Sequence, residues 1–296
     1  MELEVKGELK EKEPLSKHTT LHLGGKAQYF LYAEDIDDII KSISFCDNNR
    51  LPYYIIGRGS NVLFLDDGFS GMVITTERLD RIEVDENIIL SQAGATLNDV
   101  INRSKIESLS GLESLIGIPG TLGGAVIMNA GAYGCEIGDF VSTVSVIRKG
   151  DIIQINDFNF GYRDSSLKGE IILNVILRLN KGNRDKIEHR MHEVLKMRME
   201  NLPEIPEHIG TCGSVFKNPF KGHAGLLIEK SGLKGLKIGG SMISREHANY
   251  IITEISANSK DVVELIRKVR KKVYEKFGIM LETEVVIVGK EKEIQI

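Results

Sequence analysis

The residues best suited to chemistry lie in a glycine-rich segment, GLESLIGIPGTLGGAVIMNAGAYG, which runs from Gly111 to Gly134. Six of the eighteen residues from 117 to 134 are glycine, and they alternate with apolar side chains rather than with Ser, Pro or charged residues. Backbone N–H groups without neighbouring Cβ atoms can form a concave site for an anion. Tight packing around a buried turn would require the same composition, so the segment alone leaves both interpretations open.

A second glycine loop, GRGSN at 57–61, lies between apolar strands predicted at Tyr53–Ile56 and Val62–Leu65. Its N–H groups and its Ser and Asn side chains could hold a phosphate or pyrophosphate. The loop is not a dinucleotide fingerprint, because Val62 stands where the third glycine is needed. The chain also has no Walker A sequence. An ordinary hairpin turn is the alternative.

Three further motifs carry side chains with candidate chemistry. Arg163, in GYRDSS, could bind a carboxylate or an enolate through two parallel hydrogen bonds, or it could form a surface salt bridge. Ser214, in GSVFKNP, is predicted on a strand, and no G-x-S-x-G pattern surrounds it, which disfavours hydrolase chemistry. Glu284, in LETEV, opens an apolar strand, where its carboxylate is either exposed at an edge or buried and functional.

The elements that must position these residues form three regions, with a boundary at Pro203 and Pro206. Apolar residues at helical spacing, together with capping residues, predict helices at 35–49, 97–107, 183–199 and 259–277. Runs of β-branched and aromatic residues predict strands at 29–33, 53–57, 62–65, 72–75, 88–93, 141–148, 152–155, 171–179 and 284–288.

The composition excludes several classes of function. The chain has 296 residues, 42% of them hydrophobic and 27% charged, which is ordinary for a globular protein. A net charge of −4 without a dense basic tract disfavours nucleic-acid binding. The N-terminus lacks the apolar region of a signal peptide, and no apolar run has the length of a membrane span. The three cysteines are far apart, which favours a reducing cytoplasm over disulfides or a metal site.

Seven motifs in order resemble the UDP-N-acetylenolpyruvoylglucosamine reductase family, the MurB flavoproteins, over about residues 19–288. The motifs are GRGSNVLFLDDGF, GIPGTLGGAVIMNAGAYG, YRDSS, GSVFKNP, AGLLIEKSGLKGLKIGG, SREHANYIIT and LETEV. The chain is similar to the shorter, second type of the family. The resemblance implies an α+β fold, with an FAD-binding domain of the vanillyl-alcohol-oxidase (PCMH) type at 1–182 and a C-terminal α+β substrate domain at 183–296. The first domain would consist of two α+β subdomains, about 1–70 and 71–182, and the last strand would pack back on the first of them.

The resemblance also implies a reaction. FAD would take a hydride from NADPH and deliver it to the enolpyruvyl group of UDP-N-acetylglucosamine enolpyruvate, giving UDP-N-acetylmuramate for peptidoglycan synthesis. Arg163 would stabilise the enolate with Glu284 as its partner, and Ser214 would donate a proton to the second carbon. Glu282 is the fallback for the catalytic carboxylate. We expect a cytoplasmic monomer whose partners are a UDP-sugar and NADPH, with no nucleic acid, membrane or metal.

The binding residues implied by the resemblance fall into two sets. The cofactor set is Gly57, Arg58, Gly59, Ser60, Asn61, Val62, Gly117, Ile118, Pro119, Gly120, Thr121, Gly123, Gly124, Asn129, Ala130 and Gly131. The substrate set is Tyr133, Tyr162, Lys217, Asn218, His247 and Asn249. Lys217 would bind a diphosphate as a mobile point charge, whereas His247 and Asn249 have either substrate or structural contacts.

The chain departs from the family pattern at one early motif. Where the family has Asn-Thr, a basic residue and Gly-Gly, residues 18–25 read HTTLHLGG, so the cofactor contacts near Thr19 are left open. Two other classes of function also remain at this stage. One is another FAD-dependent oxidoreductase of the same fold, such as an alcohol or sugar oxidase, and the other is a non-catalytic flavin- or nucleotide-binding protein.

Overall fold

Helices form where the sequence patterns are strongest. The α-helices of the computed structural model, which describes residues 3–296, are α1 (Ile36–Asn49), α2 (Leu97–Ile106), α3 (Leu122–Ile127), α4 (Arg184–Asn201), α5 (Ala224–Lys230) and α6 (Ser259–Phe277). The four predicted helices are confirmed as α1, α2, α4 and α6, with ends that differ by no more than about two residues. The two short helices, α3 and α5, were missed because six or seven residues carry too little periodicity.

The strands are short and numerous. In chain order they are β1 (Glu8–Glu11), β2 (Ala27–Tyr32), β3 (Tyr53–Ile56), β4 (Val62–Phe64), β5 (Phe69–Thr75), β6 (Ile82–Asp85), β7 (Ile88–Gln92), β8 (Leu109–Ser110), β9 (Gly131–Ala132), β10 (Cys135–Glu136), β11 (Val141–Arg148), β12 (Asp151–Ile155), β13 (Phe160–Gly161), β14 (Asp164–Ser165), β15 (Ile171–Arg178), β16 (Asn180–Lys181), β17 (Gly210–Ser214), β18 (Lys237–Ile238), β19 (Ser241–Ile243), β20 (Tyr250–Thr253), β21 (Val286–Val288) and β22 (Glu293–Ile294). This mixture of helices and strands confirms the predicted α+β class.

The chain forms two compact units, and neither is a single stretch of sequence. The first comprises the described residues up to Lys10, Phe30–Gly57 and Val73–Glu200, and the second comprises Glu11–Tyr29, Arg58–Met72 and Asn201–Ile296. Each unit has its own cluster of buried apolar side chains, one drawn from 89–194 and the other from segments between 21 and 287. The predicted division into 1–182 and 183–296 concerns function and stays a prediction.

Most strand pairs are antiparallel, and many of them join strands that are close in the sequence. A five-stranded sheet has the order β12-β11-β15-β7-β6, and a four-stranded sheet has the order β17-β20-β19-β18, both with antiparallel pairs throughout. Another four-stranded sheet has the order β1-β2-β5-β3. The sheet β22-β21-β4 differs, because β21 pairs in parallel with β4, which lies far earlier in the chain.

The helix α6 shows how local sequence signals set the boundaries. The Asn258 side chain accepts a hydrogen bond from the Asp261 N–H at 3.1 Å, while the Asp261 carboxylate accepts one from the Asn258 N–H at 3.2 Å. Gly278 ends the helix in the left-handed region at φ +68°. The buried face of α6 consists of Val262, Leu265, Ile266, Val269 and Val273.

No helix among residues 3–296 combines the length and the apolar character needed to cross a membrane. Cys46, Cys135 and Cys212 are all free thiols.

We predict that Asn258→Ala lowers the free energy of unfolding by about 1 kcal/mol, because it removes an exposed N-cap without changing the core. Asn258→Asp is the matched control, since it keeps the acceptor and places a negative charge at the helix N-terminus. Chemical denaturation of both variants checks this. Equal destabilisation by the two substitutions would contradict the capping role.

Candidate active site

The loop GRGSN is shaped by its two glycines. A Cβ atom on Gly57 would lie 2.3 Å from the Thr121 Oγ1, so only glycine fits beside that hydroxyl group. Gly59 has φ +59°, and a Cβ there would lie 2.1 Å from the carbonyl oxygen of His18. The Gly59 carbonyl accepts the Thr20 N–H at 3.2 Å. The altered early motif therefore packs directly against the loop.

The end of this loop contacts the C-terminal glutamate segment. Asn61 Nδ2 donates to the carbonyl oxygen of Glu284 at 3.0 Å, and the Val286 N–H donates to the Asn61 carbonyl oxygen at 3.0 Å. The parallel pairing of Val62 with Val286 continues this contact into β4 and β21. Two motifs separated by 223 residues thus meet through their backbones.

The glycines of the second segment have different surroundings. Gly123 packs tightly, since its N–H donates to the Ala93 carbonyl oxygen at 2.8 Å and a Cβ would lie 2.8 Å from the Ala93 Cβ. Gly124 is exposed, and only the Thr121 Oγ1, at 3.5 Å, would come within 4 Å of a Cβ on it. Thr121 caps α3 through a hydrogen bond from the Gly124 N–H. Tight packing therefore applies to Gly123, whereas the backbone of Gly124 is open, and the anion site stays a prediction.

Gly117 begins the glycine-dense part of this segment, residues 117–134, at φ +79°, and side chains bind both its N–H and its carbonyl oxygen. Its N–H donates to Asn98 Oδ1 at 2.8 Å, and its carbonyl oxygen accepts from Arg198 Nη2 at 2.8 Å. Neither partner carries a signal in the sequence, because both lie on polar helices among other charged residues.

Asn129 is fully buried at φ +44°, and its amide is used entirely inside the protein. Its Nδ2 donates to Glu136 Oε2 at 2.7 Å and to the Gly161 carbonyl oxygen at 2.9 Å. Its Oδ1 accepts the Gly138 N–H at 3.0 Å. Asn129 therefore joins the glycine-rich segment to the turn that carries Arg163.

Arg163 lies at the tip of the β13–β14 hairpin, at φ +54°, which is strained for a residue with a side chain. Its Nη2 donates to the Gly131 carbonyl oxygen at 2.8 Å, and its guanidinium lies 5.5 Å from the centre of the Tyr162 ring. Tyr162 and Tyr133 are 48% and 42% exposed, which leaves two aromatic rings open to a ligand. The hairpin is anchored by the Ser165 hydroxyl, which donates to the Ile127 carbonyl oxygen at 2.7 Å.

Ser214 ends β17, where it pairs with Tyr250 across a register shift that follows Thr211. Gly213, at φ +73°, permits this irregularity. The sequence predicts a strand through Ser214 and its successors, but β17 ends there and the next residues form only an isolated bridge, Phe216 with Thr283. The chain is held on this side by the Glu284 N–H, which donates to the Val215 carbonyl oxygen at 2.8 Å.

The two C-terminal glutamates have different environments. The Glu282 side chain is 78% exposed and lies 3.8 Å from the Lys217 ammonium group. Glu284 is half-buried, and its charge contributes, after the dominant effect of burial, to raising the pKa of the Cys212 thiol to about 12. Of the two carboxylates, that of Glu284 is the less exposed.

Asn249 and His247 both have structural contacts. Asn249 is buried, and its amide accepts the Phe216 N–H at 3.0 Å and donates to the Phe216 carbonyl oxygen at 2.8 Å. His247 Nδ1 accepts the Asn249 N–H at 3.3 Å. Burial and the nearby Lys234 charge lower the pKa of His247, which favours its neutral form. Asn218 Oδ1 accepts the Ala224 N–H at 2.9 Å, at the start of α5.

The remaining residues of the cofactor set complete the same two segments. Arg58 and Pro119 are exposed, whereas Ser60, Ile118, Gly120 and Ala130 are half-buried. The Gly120 carbonyl oxygen accepts the Leu97 N–H at 3.1 Å, and the Ala130 N–H donates to the Ala125 carbonyl oxygen at 2.8 Å. Within residues 3–296 no group of three or more His, Cys, Asp or Glu side chains is arranged to hold a metal ion.

Comparison with known proteins identifies both parts of the chain. An FAD binding domain profile matches residues 27–156, and a profile for the C-terminal domain of UDP-N-acetylenolpyruvoylglucosamine reductase matches residues 205–288. The chain is similar in structure to 6-hydroxy-D-nicotine oxidase from Arthrobacter nicotinovorans, with a TM-score of 0.60 over 95% of this chain and 89% of that one. At 12% identity this likeness shows the fold alone, and it agrees with the predicted oxidase-type FAD-binding architecture.

Three relatives share the name UDP-N-acetylenolpyruvoylglucosamine reductase. The protein of Clostridium botulinum (strain Okra / Type B1) is 40% identical over 94% of this chain and 92% of its own length. That of Thermotoga maritima is 41% identical over 93% and 97%. The crystal structure of the Thermus caldophilus protein superimposes with a TM-score of 0.81 at 34% identity, over 96% of this chain and 99% of that one. By identity and coverage together, the chain belongs to the UDP-N-acetylenolpyruvoylglucosamine reductase family.

Proposed function

We propose that this protein is a UDP-N-acetylmuramate dehydrogenase that uses NADPH and FAD. It reduces the enolpyruvyl group of UDP-N-acetylglucosamine enolpyruvate to a lactyl ether and so forms UDP-N-acetylmuramate. The observation that carries this proposal is the series of hydrogen bonds through Asn61, Glu284 and Val215, which joins the glycine loop, the Glu284 segment and the Ser214 segment. This arrangement supports a site that binds a pyrophosphate at the loop and delivers a proton from the Ser214 segment.

The residues present fit FAD. Gly124 has no side chain to cover its exposed backbone, and the left-handed conformation of Gly59 is the kind that turns N–H groups toward an anion. Arg58 supplies an exposed cation beside these N–H groups, suited to a pyrophosphate. We propose that the loop at 57–62 holds the pyrophosphate. The segment containing Gly117, Ile118, Pro119, Gly120, Thr121, Gly123, Gly124, Asn129, Ala130 and Gly131 would lie along the rest of the cofactor.

When bound, FAD would supply the hydride chemistry, in which a hydride from NADPH reaches the methylene carbon of the enolpyruvyl group. Negative charge then develops on the neighbouring carbon and spreads into the substrate carboxylate. Arg163 is proposed as the cation that stabilises this enolate, because its guanidinium can donate two parallel hydrogen bonds to a carboxylate. The left-handed conformation of Arg163, maintained by the Asn129 and Ser165 contacts, supports a role that depends on a fixed direction.

Ser214 is proposed to donate its hydroxyl proton to the carbon that carries the enolate charge. A serine hydroxyl is a weak acid, but an enolate is a strong enough base to take its proton at short range. The clamp of Asn249 on Phe216 supports this role, because it limits movement of the chain two residues away. Asn249 thus acts on the substrate through position rather than by contact.

Glu284 is proposed as the carboxylate partner of Arg163 in stabilising the enolate. Its half-buried position supports this choice over Glu282, which is exposed and paired with Lys217. Lys217, Asn218, Tyr133, Tyr162 and His247 are proposed to contact the sugar nucleotide. Lys217 would exchange its long contact with Glu282 for the substrate diphosphate.

The wider biological role is proposed from the same chemistry. The product would enter peptidoglycan synthesis, and through it cell wall biogenesis, cell shape, the cell cycle and cell division. We propose a monomer in the bacterial cytoplasm, with residues 1–182 serving the cofactor and 183–296 the substrate. The positions of the two matched family profiles support this functional division.

The function is tested by reducing the purified flavoprotein with NADPH in the absence of oxygen and then adding UDP-N-acetylglucosamine enolpyruvate. We expect the visible flavin band to bleach and then return rapidly when the sugar nucleotide is added. A band that stays bleached would reject this substrate, and a protein that binds no FAD would reject the whole proposal.

We predict that Ser214→Ala leaves flavin reduction by NADPH nearly unchanged but slows flavin reoxidation by the substrate by roughly 10²–10⁴-fold. The reason is that only the second half-reaction needs a proton on carbon. Stopped-flow absorbance measures the two half-reactions separately. An equal loss in both would contradict the role of proton donor.

We predict that Glu284→Gln slows the substrate half-reaction by at least about 100-fold, whereas Glu282→Gln changes it less than about threefold. The two substitutions are chemically identical and lie two residues apart, so they form a matched pair. Single-turnover kinetics with the reduced enzyme checks both. A larger effect at Glu282 would assign the catalytic carboxylate to that residue instead.

A further inference from the structure

The carboxyl-terminal turn of α4 reaches the start of the glycine-rich segment. Arg198 lies in the last turn of this helix, where a cation is favoured by the helix dipole. Its Nη2 donates to the Gly117 carbonyl oxygen at 2.8 Å, while the side chain of Asn98 from α2 accepts the Gly117 N–H at 2.8 Å. Two helices thus hold one glycine by both of its peptide groups.

Packing alone does not fix Gly117. A cavity of about 330 Å³ lies beside it, bounded by α2 and α4 and lined in part by Asn98, Ile116, Met191 and Leu195. A segment that borders a cavity lacks neighbouring atoms on that side, so van der Waals contacts restrain it weakly there. The hydrogen bonds that Gly117 donates to Asn98 and accepts from Arg198 therefore add directed restraint where packing is weak.

The conformation of Gly117 makes this restraint necessary. Its φ of +79° is open to glycine, but glycine is also the residue with the most alternative conformations. A Cβ atom at this position would lie 2.9 Å from Arg198 Nε, so the guanidinium occupies the space that a side chain would take. The guanidinium in this place therefore packs against a position that has no side chain of its own.

We propose that Arg198 and Asn98 are positioning residues for the cofactor, acting by fixing the Gly117 peptide groups at the entrance to the glycine-rich segment. This inference rests on the proposed function, in which residues 117–131 lie along FAD. With the Gly117 carbonyl oxygen and N–H fixed, the following peptide groups meet the cofactor in one conformation. Without the hydrogen bonds to Arg198 and Asn98, the segment would adopt several conformations in the cofactor-free protein. Selecting one of them on binding would reduce the binding free energy.

The test measures FAD affinity by flavin fluorescence titration of the cofactor-free protein, together with its thermal unfolding. We expect Arg198→Met to raise the Kd for FAD about tenfold, which corresponds to about 1.4 kcal/mol, and Arg198→Lys to recover part of the loss by keeping a donor. Arg190→Met is the matched control, because Arg190 lies on the same helix but pairs with Glu193 at the surface. Its Kd should equal that of the unmodified protein.

Asn98→Leu provides an independent variant that removes the acceptor while keeping the size of the side chain. We expect it to raise the Kd for FAD as well, and the double variant with Arg198→Met to lose less than the sum of the two. The cofactor-free variants should unfold at the same temperature as the Arg190→Met control.

Three outcomes would overturn the inference. An unchanged Kd for FAD in Arg198→Met and Asn98→Leu would show that Gly117 needs no restraint. A fall in the unfolding temperature of the cofactor-free protein that accounts for the whole loss of affinity would make the pair merely structural. Absence of FAD binding by the unmodified protein would reject the proposed function itself, which distinguishes that failure from the first two.

Discussion

The parallel pairing of β4 with β21 is the constraint on which the second unit depends. It brings the end of the GRGSN loop against the segment that begins with Glu284, and the Asn61 side chain strengthens that contact by a hydrogen bond to the Glu284 carbonyl oxygen. The Glu284 N–H in turn bonds to Val215, beside Ser214. The GRGSN loop, the Glu284 segment and the chain beside Ser214 are therefore joined through hydrogen bonds to main-chain groups.

Side-chain amides join distant segments where regular secondary structure is missing. Asn129 and Asn249 each bind the backbone of a distant segment, and an amide can satisfy an N–H and a carbonyl oxygen at once. Both are buried with these groups satisfied, so neither leaves a costly orphaned polar atom. Both asparagines therefore have a structural role, and their assignment to the cofactor and substrate sets stays a prediction.

The fold could be predicted where one segment carries its own signal. The helix α6 is predictable from its N-cap at Asn258, its apolar stripe and Gly278. The fold class follows from such elements. The helix α3 could not be found, because glycine at 123 and 124 opposes helix formation and only tertiary contacts such as that with Ala93 impose it. The partners of the site residues were equally hidden. Nothing near Gly117 in sequence indicates Arg198, 81 residues away, because that contact exists only after α4 has packed.

The same closure between β4 and β21 has a consequence for protein synthesis. Asn61 and Glu284 are separated by 223 residues, so at roughly 5–20 residues per second about 10–45 s pass between their appearance at the ribosome. During that interval the edge of β4 that β21 later covers is open, and its apolar strand can pair with other chains. The yield of native protein in a cell should therefore depend on how well this edge is shielded during translation, by chaperones or by slow production at low temperature.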